Sequence, residues 1–308
     1  MQSKNYSLYY LVTAGLWALY VVLTFLSPLQ ANNRYNLSTL QSQLLRISIM
    51  LPILVIWLVL VYGLVQLKRY ADSIEGSTEH RYYNYIVWGL WALALGLILP
   101  SFISFISAFQ PGIFEAKKFV SIVNRYINIA TLLVAFSYIL MGSKGLLSLL
   151  PNHQSFIKNK KIIAYVVVIA LFAGYSFLLF NNPYRTSSPD PLISPTYYLP
   201  DPLIIITVMI PYLIVWIIGS GVIINIMTFS QNVTGQIYRK AFYFIALGLI
   251  TITTLSIGLQ LLAQATVYFS KASLGAILII VYALLILIAI GYGFIARGAK
   301  ELVKIENI

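Results

Sequence analysis

The polar side chains with the clearest spacing are Asn124, Arg125, Asn128 and Thr131, in the segment NRYINIAT of an otherwise apolar stretch. At helical spacing Asn124, Asn128 and Thr131 share one face and Arg125 borders it. A guanidinium beside amides suits bidentate capture of a carboxylate or phosphate. A second stripe, Thr253, Ser256, Gln260 and Gln264, follows the same intervals of three and four. Hydrocarbon cannot satisfy such groups, so they face protein or a water-filled cavity. Together the stripes predict an outward-facing polar pocket, with Asn124, Arg125, Asn128, Thr131, Ser256, Gln260 and Gln264 as ligand-binding residues. The competing role for the same residues is interhelical hydrogen bonding, with Arg125 reaching the outer headgroups.

Other chemistry is excluded by what the chain lacks. None of the eight acidic residues falls inside an apolar span, so coupling to protons through its own carboxylates is not expected. His80 and His153 both belong to loops, and there is no cysteine, so no metal site, thiol chemistry or cofactor is expected. The loop DSIEGSTEH gathers Asp72, Glu75, Glu79 and His80, but the corresponding segment QNVTGQIY has neither acid nor histidine. The loop is therefore read as a solvated turn between two long helices. No nucleophile paired with a base and no nucleotide-binding loop is visible, so no catalytic residue is assigned and an enzyme is not expected.

The elements that must position these residues are membrane helices. Sixty per cent of the 308 residues are hydrophobic and 9% are charged, against about a quarter charged in soluble domains. Eight apolar runs, at 6–26, 47–67, 84–106, 120–141, 162–180, 203–227, 241–262 and 274–296, have the length of roughly 20 residues that spans about 30 Å of hydrocarbon. The first run is too long for a signal peptide, and SPLQANN after it lacks a cleavage site. The formal charge of +12 is spread over short loops rather than gathered on a face, which disfavours nucleic acid as a partner. With the N-terminus inside, thirteen Lys and Arg fall on the cytoplasmic side and seven on the other, which predicts both termini in the cytoplasm. The expected location is the plasma (cytoplasmic) membrane.

The segments IMLPILVIW (49–57) and VMIPYLIVW (208–216) reveal a further level of order. Aligning 48–76 with 207–235 without a gap pairs Met50 with Met209, Pro52 with Pro211, Trp57 with Trp216 and Gly76 with Gly235. Tyr20 and Pro28 match Tyr175 and Pro183, Arg81 and Tyr85 match Arg239 and Tyr243, and Gly142 with Lys144 matches Gly298 with Lys300, all at offsets of 155 to 159 residues. This predicts a duplicated four-helix unit: residues 1–150, a cytoplasmic linker 151–161, and residues 162–308 with a proline-rich outer loop at 181–202. A unit with an even number of spans returns the chain to its starting side, so the repeats are parallel, related by a pseudo-twofold axis along the membrane normal.

Local signals refine the elements. Ser38 and Gln41 have capping-box spacing, and Asp201 with Pro202 suits a helix start. Pro52 and Pro211 lie inside helices, where a missing donor frees a carbonyl, so each is a kink and hinge candidate. Leu146 to Leu150, stopped by Pro151, reads as a short amphipathic piece in the cytoplasmic interface. Gly219, Ser220 and Gly221, and Ala289, Gly291 and Gly293, permit close helix approach or an oligomer seam. The function this predicts is transporter-like: binding or passage of a small solute or lipid at the outward-facing pocket between the repeats. The alternative is a structural or accessory subunit of a larger membrane complex, and a lipid-modifying enzyme ranks below both. The expected partners are membrane lipids and a small-molecule or lipid ligand, with a protein partner or a second copy of the chain under the alternative.

Overall fold

The computed structural model describes residues 6–26, 39–108, 113–150, 154–181, 205–268 and 274–306. Among them there is no strand, and eight helices follow in order. These are α1 (Ser7–Leu26), α2 (Thr39–Ser73), α3 (Thr78–Ala108), α4 (Ile113–Ser148), α5 (Gln154–Phe180), α6 (Ile210–Asn232), α7 (Gln236–Tyr268) and α8 (Leu274–Glu306). A π-helical turn, Ile205–Met209, leads into α6. Each apolar run read from the sequence falls on its own helix. Among the described residues four stretches are long and apolar enough to cross a membrane: Met50–Ser73, Tyr126–Ser148, Asn159–Phe177 and Ile205–Asn232.

Most helices overrun their apolar parts. The span on α2 extends to Ser73, which brings Lys68 and Asp72 into its last two turns. Ser38, Asp201, Pro202 and the proline-rich residues 182–202 lie outside the described residues. The linker expected at 151–161 is largely absorbed, because α5 begins at Gln154. Leu146–Leu150 does not form a separate interfacial piece. Leu146 and Leu147 belong to the last turns of α4 and are buried in the core. Gly142 and Gly145 allow this: a Cβ on Gly142 would lie 2.6 Å from the Tyr82 carbonyl oxygen, and one on Gly145 would meet the Tyr82 ring. The end of α4 therefore sits on α3, not on lipid.

The turns between α2 and α3 and between α6 and α7 share one device. Gly76 and Gly235 have φ of +97° and +101°, a conformation L side chains rarely adopt. Each glycine lets the chain reverse within a few residues. Ser77 then caps α3, its Oγ accepting from the His80 N–H at 3.2 Å.

Inside a membrane the hydrophobic effect does not draw helices together, so association rests on close van der Waals packing and on internal hydrogen bonds. The longest seams run between α3 and α4 and between α7 and α8. Glycines set both: a Cβ on Gly89 would lie 2.6 Å from the Ala135 oxygen, and one on Gly248 would lie 2.5 Å from the Gly291 oxygen. Next, α2 packs along α8 and α4 along α6. Gly63 of α2 seats against the Ala296 backbone, and Asn225 of α6 donates to Ser143 Oγ of α4 at 3.2 Å, both residues buried. Where these layers meet, Tyr70 and Tyr83 form an edge contact with centroids 4.9 Å apart, Phe229 and Phe242 form another at 4.6 Å, and Tyr83 and Phe242 stand 6.0 Å apart. The Tyr70 and Tyr238 hydroxyls bridge the same region at 3.3 Å. α1 leans lightly on α2 and α3, whereas α5 packs more fully on α6 and α7.

Candidate functional site

The slack packing of α1 leaves a groove. It is lined by Leu8, Tyr9, Val12, Thr13 and Leu16 of α1, by Trp57 and Lys68 of α2, and by Asn84, Val87, Trp88, Trp91, Ala94 and Leu95 of α3, and encloses about 380 Å³. That volume is within the roughly 300–1,000 Å³ typical of small-ligand sites. The spacings explain the shape: the α1 residues recur at one and then three or four, and those of α3 at three and four, so each helix offers one continuous stripe. Trp57, 3% exposed, forms the floor, its indole N–H reaching the Ala94 carbonyl at 3.5 Å. On the outer rim Trp88 is 61% exposed, and Leu8, Val12 and Leu95 are exposed beside it.

Aromatic contacts set α1 against the floor and the α3 wall. Tyr9 stacks on Trp91 with centroids 5.6 Å apart, and Tyr6 lies beside Tyr9 at 6.4 Å. Tyr6 also anchors the end of α1: its hydroxyl donates to Asp72 Oδ2 at 3.0 Å, and the Arg69 guanidinium sits 5.0 Å from its ring centroid. The helix is fastened at this end, and Leu16 and Trp17 pack against the Trp57 cluster further along it.

That same end carries a continuous polar network. Lys68 Nζ pairs with Asp72 Oδ1 at 2.9 Å and donates to Asn84 Oδ1 at 3.0 Å. The Lys68 and Asp72 side chains are 26% and 8% exposed, so the pair is only partly screened by solvent. Asn84 Nδ2 donates to His80 Nε2 at 2.8 Å, and His80 Nδ1 lies 2.6 Å from the Ala71 carbonyl. Only one tautomer satisfies both contacts, with the proton on Nδ1 and the lone pair on Nε2. Because Asn84 gives its N–H to His80, its oxygen must face Lys68. Among the described lining residues Lys68 alone carries charge, at one end of an otherwise apolar and aromatic groove. This is an amphiphile-shaped site.

The residues singled out from the sequence are distributed differently. Thr131 is half-buried and its Oγ1 donates to the carbonyls of Ile127 and Asn128, each at 2.9 Å, while it lies against Gly96 of α3. Thr131 thus serves the α3–α4 seam within one unit. Asn128 is half-buried on the same helix. Asn124, Arg125, Ser256, Gln260 and Gln264 lie on α4 and α7, but their side chains are outside the described part of the structure. Pro52 is inside α2, half-buried, and Pro211 is the second residue of α6, directly after the π-helical turn. A wider turn ahead of proline is a local way to accommodate the missing N–H and the ring.

The loop read as a solvated turn is only partly so. Glu75 and Glu79 are exposed, but Asp72 and His80 are taken into the network just described. Sequence reasoning missed Lys68 and Asn84 as site residues, since their contact joins α2 to α3 across the turn. It also missed Asn225, fully buried on α6, whose Oδ1 finds no acceptor's counterpart among the described residues. The one signal was an amide at the corresponding position of α2, Gln66, which is buried as well. Comparison of the chain with family models, curated proteins and solved structures finds no match to any of them.

Proposed function

We propose that the chain is a multi-pass protein of the plasma (cytoplasmic) membrane that binds a membrane amphiphile in the groove between α1, α2 and α3. All eight helices span the bilayer in this reading, as two parallel four-helix units with both termini cytoplasmic. The observation that carries it is the groove itself, with apolar walls, a lateral rim of exposed side chains that meets lipid, and one charged end. From Trp57 to Lys68 is eleven residues along α2. At 1.5 Å per residue that is about 16 Å, close to half of a hydrocarbon core of about 30 Å, so the groove is as long as one leaflet is thick.

The packing supports the duplication. Exchanging α1–α4 with α5–α8 maps every major helix pair onto another: α3–α4 onto α7–α8, α2–α8 onto α6–α4, α2–α3 onto α6–α7, and α1–α2 onto α5–α6. Individual contacts follow. Gly142 meets Ile86 and the Tyr82 carbonyl, and Gly298 meets Ile245 and the Ala241 carbonyl. The edge-on pairs Tyr70–Tyr83 and Phe229–Phe242 correspond in the same way, at interplanar angles of 78° and 77°. These aromatic rings pack between the two proposed units at the α2–α3 turn end.

Native mass spectrometry after gentle detergent extraction tests the reading. Val12→Trp places an indole into the groove from its exposed rim without touching the buried core. Wild type is expected to retain an amphiphile that Val12→Trp loses, with both proteins equally monodisperse. Equal retention by the two would remove the groove as the site.

A further inference from the structure

We infer that the groove selects a bilayer phospholipid with an anionic head, one acyl chain lying along Trp57 and Trp91 and the phosphate seated on Lys68 Nζ. This rests on the amphiphile-binding reading and adds the chemistry of the head. An ammonium has three N–H donors, and the two contacts to Asp72 Oδ1 and Asn84 Oδ1 use two of them. The third is left for an acceptor within the groove that Lys68 lines. Asp72 does not line the groove, and its second oxygen accepts from Tyr6 on the other side. The negative member of the pair is thus turned away and the positive one presented. Arg69, the next residue on α2, is exposed at the same end and adds a second cation. Glu75, in the turn after α2, and Glu79, in the first turn of α3, are exposed and do not line the groove.

The second unit serves as an internal control. At the offset of 159 residues that pairs Trp57 with Trp216, Lys68 is replaced by Met227, Asp72 by Gln231 and Asn84 by Tyr243. There Phe172 and Tyr175 of α5 pack against Trp216 with centroids 5.8 and 6.0 Å away. The cation, its carboxylate partner and the amide that aims it are thus confined to the unit that carries the groove, as expected if they serve its ligand. Asn84 and His80 are positioning residues: the His80 contact to the Ala71 carbonyl fixes the Asn84 amide, which in turn aims Lys68.

The test uses the full chain in nanodiscs of equal parts phosphatidylglycerol and phosphatidylcholine with matched acyl chains, followed by native mass spectrometry of the lipid that stays bound on release. Phosphatidylglycerol is expected to be retained about fivefold over phosphatidylcholine: both carry the phosphodiester that accepts from Lys68, and the difference is the choline ammonium, which the cations at this end repel across a partly screened distance. Lys68→Met should abolish the preference but keep lipid bound, and Lys68→Arg should restore it. Since Lys68→Met removes the cation that faces Asp72, the double variant Lys68→Met with Asp72→Leu repeats the measurement without that carboxylate. Equal retention of the two lipids by wild type, with loss of both in Val12→Trp, would overturn the headgroup assignment and leave the groove standing. Retention of free fatty acid in place of either phospholipid would also overturn it. Retention of phosphatidylglycerol that Val12→Trp does not diminish would remove both the assignment and the groove.

Discussion

Asp72 accepts from Tyr6 on one oxygen and pairs with Lys68 on the other, so a single carboxylate ties the start of α1 to the end of α2 while it orients the cation of the groove. Removing it should loosen α1 and strand Lys68 together. Because Lys68 retains some solvent, the cost of Asp72→Ala is put at about 1–3 kcal/mol, below that of breaking a fully buried pair. A cycle of Asp72→Ala, Lys68→Met and the double variant should give a coupling of about 1 kcal/mol, read from thermal unfolding in one detergent. Strict additivity would mean that the two charges do not interact. The network also marks what a sequence can disclose at this scale. Trp57, Trp216, Gly76 and Gly235 are legible because rare residues recur at a fixed interval. Lys68 and Asn84 are not, because a turn of the chain brings them together across 16 residues, and Asp72, the carboxylate beside Lys68, is held by Tyr6 from 66 residues away. Gly89 and Gly248, 159 residues apart, each sit against a backbone carbonyl of the facing helix; in the proposed duplication that interval would set Lys240 and Phe244, beside Arg239 and Tyr243, against Arg81 and Tyr85.

Helices were the most legible elements, since each needs only an apolar run of the right length, and all eight expected runs are helical in the structure. Their ends were less legible: α4 continues past Gly145 and α5 starts at Gln154 because neighbours, not local sequence, decide where a helix stops packing. The seams are set by glycine, and this can be tested without reference to any ligand. A methyl on Gly89 or Gly248 would run into a backbone carbonyl of the facing helix, which cannot yield as a flexible side chain can. Gly89→Ala and Gly248→Ala are each expected to cost about 1–3 kcal/mol through overpacking and to lower the melting temperature. Gly293→Ala, where a Cβ meets nothing within 4 Å, should leave it unchanged or higher. If all three behave alike, the seams are looser than the helix axes imply. Turn glycines act by another route, since Gly76→Ala and Gly235→Ala meet the left-handed backbone penalty, about 1–2 kcal/mol each.

At the scale of the molecule, the proposed duplication and topology are joined by one constraint: with four spans per unit the chain would return to its starting side, which would put the α2–α3 and α6–α7 turns on the same face of the membrane. The contact of the Tyr70 hydroxyl with that of Tyr238, near these two turns, supports the same conclusion from packing. The distribution of Lys and Arg, thirteen against seven, predicts that this face is the cytoplasmic one. The chain has no cysteine, so a single introduced thiol reports its own side without background. Thr78 and Thr234 are exposed, one beside each turn. Thr78→Cys and Thr234→Cys should both react with a membrane-impermeant maleimide only when the inner face is presented, and Ser187→Cys, in the proline-rich stretch, only from the outer face. Labelling of Thr78→Cys and Thr234→Cys from opposite sides would break the parallel duplication. Labelling of both from outside would keep the duplication, invert the molecule, and place the Lys68 end of the groove in the outer leaflet. The side on which that cation stands decides which leaflet supplies the lipid, so this labelling pattern also fixes the direction from which the groove is loaded.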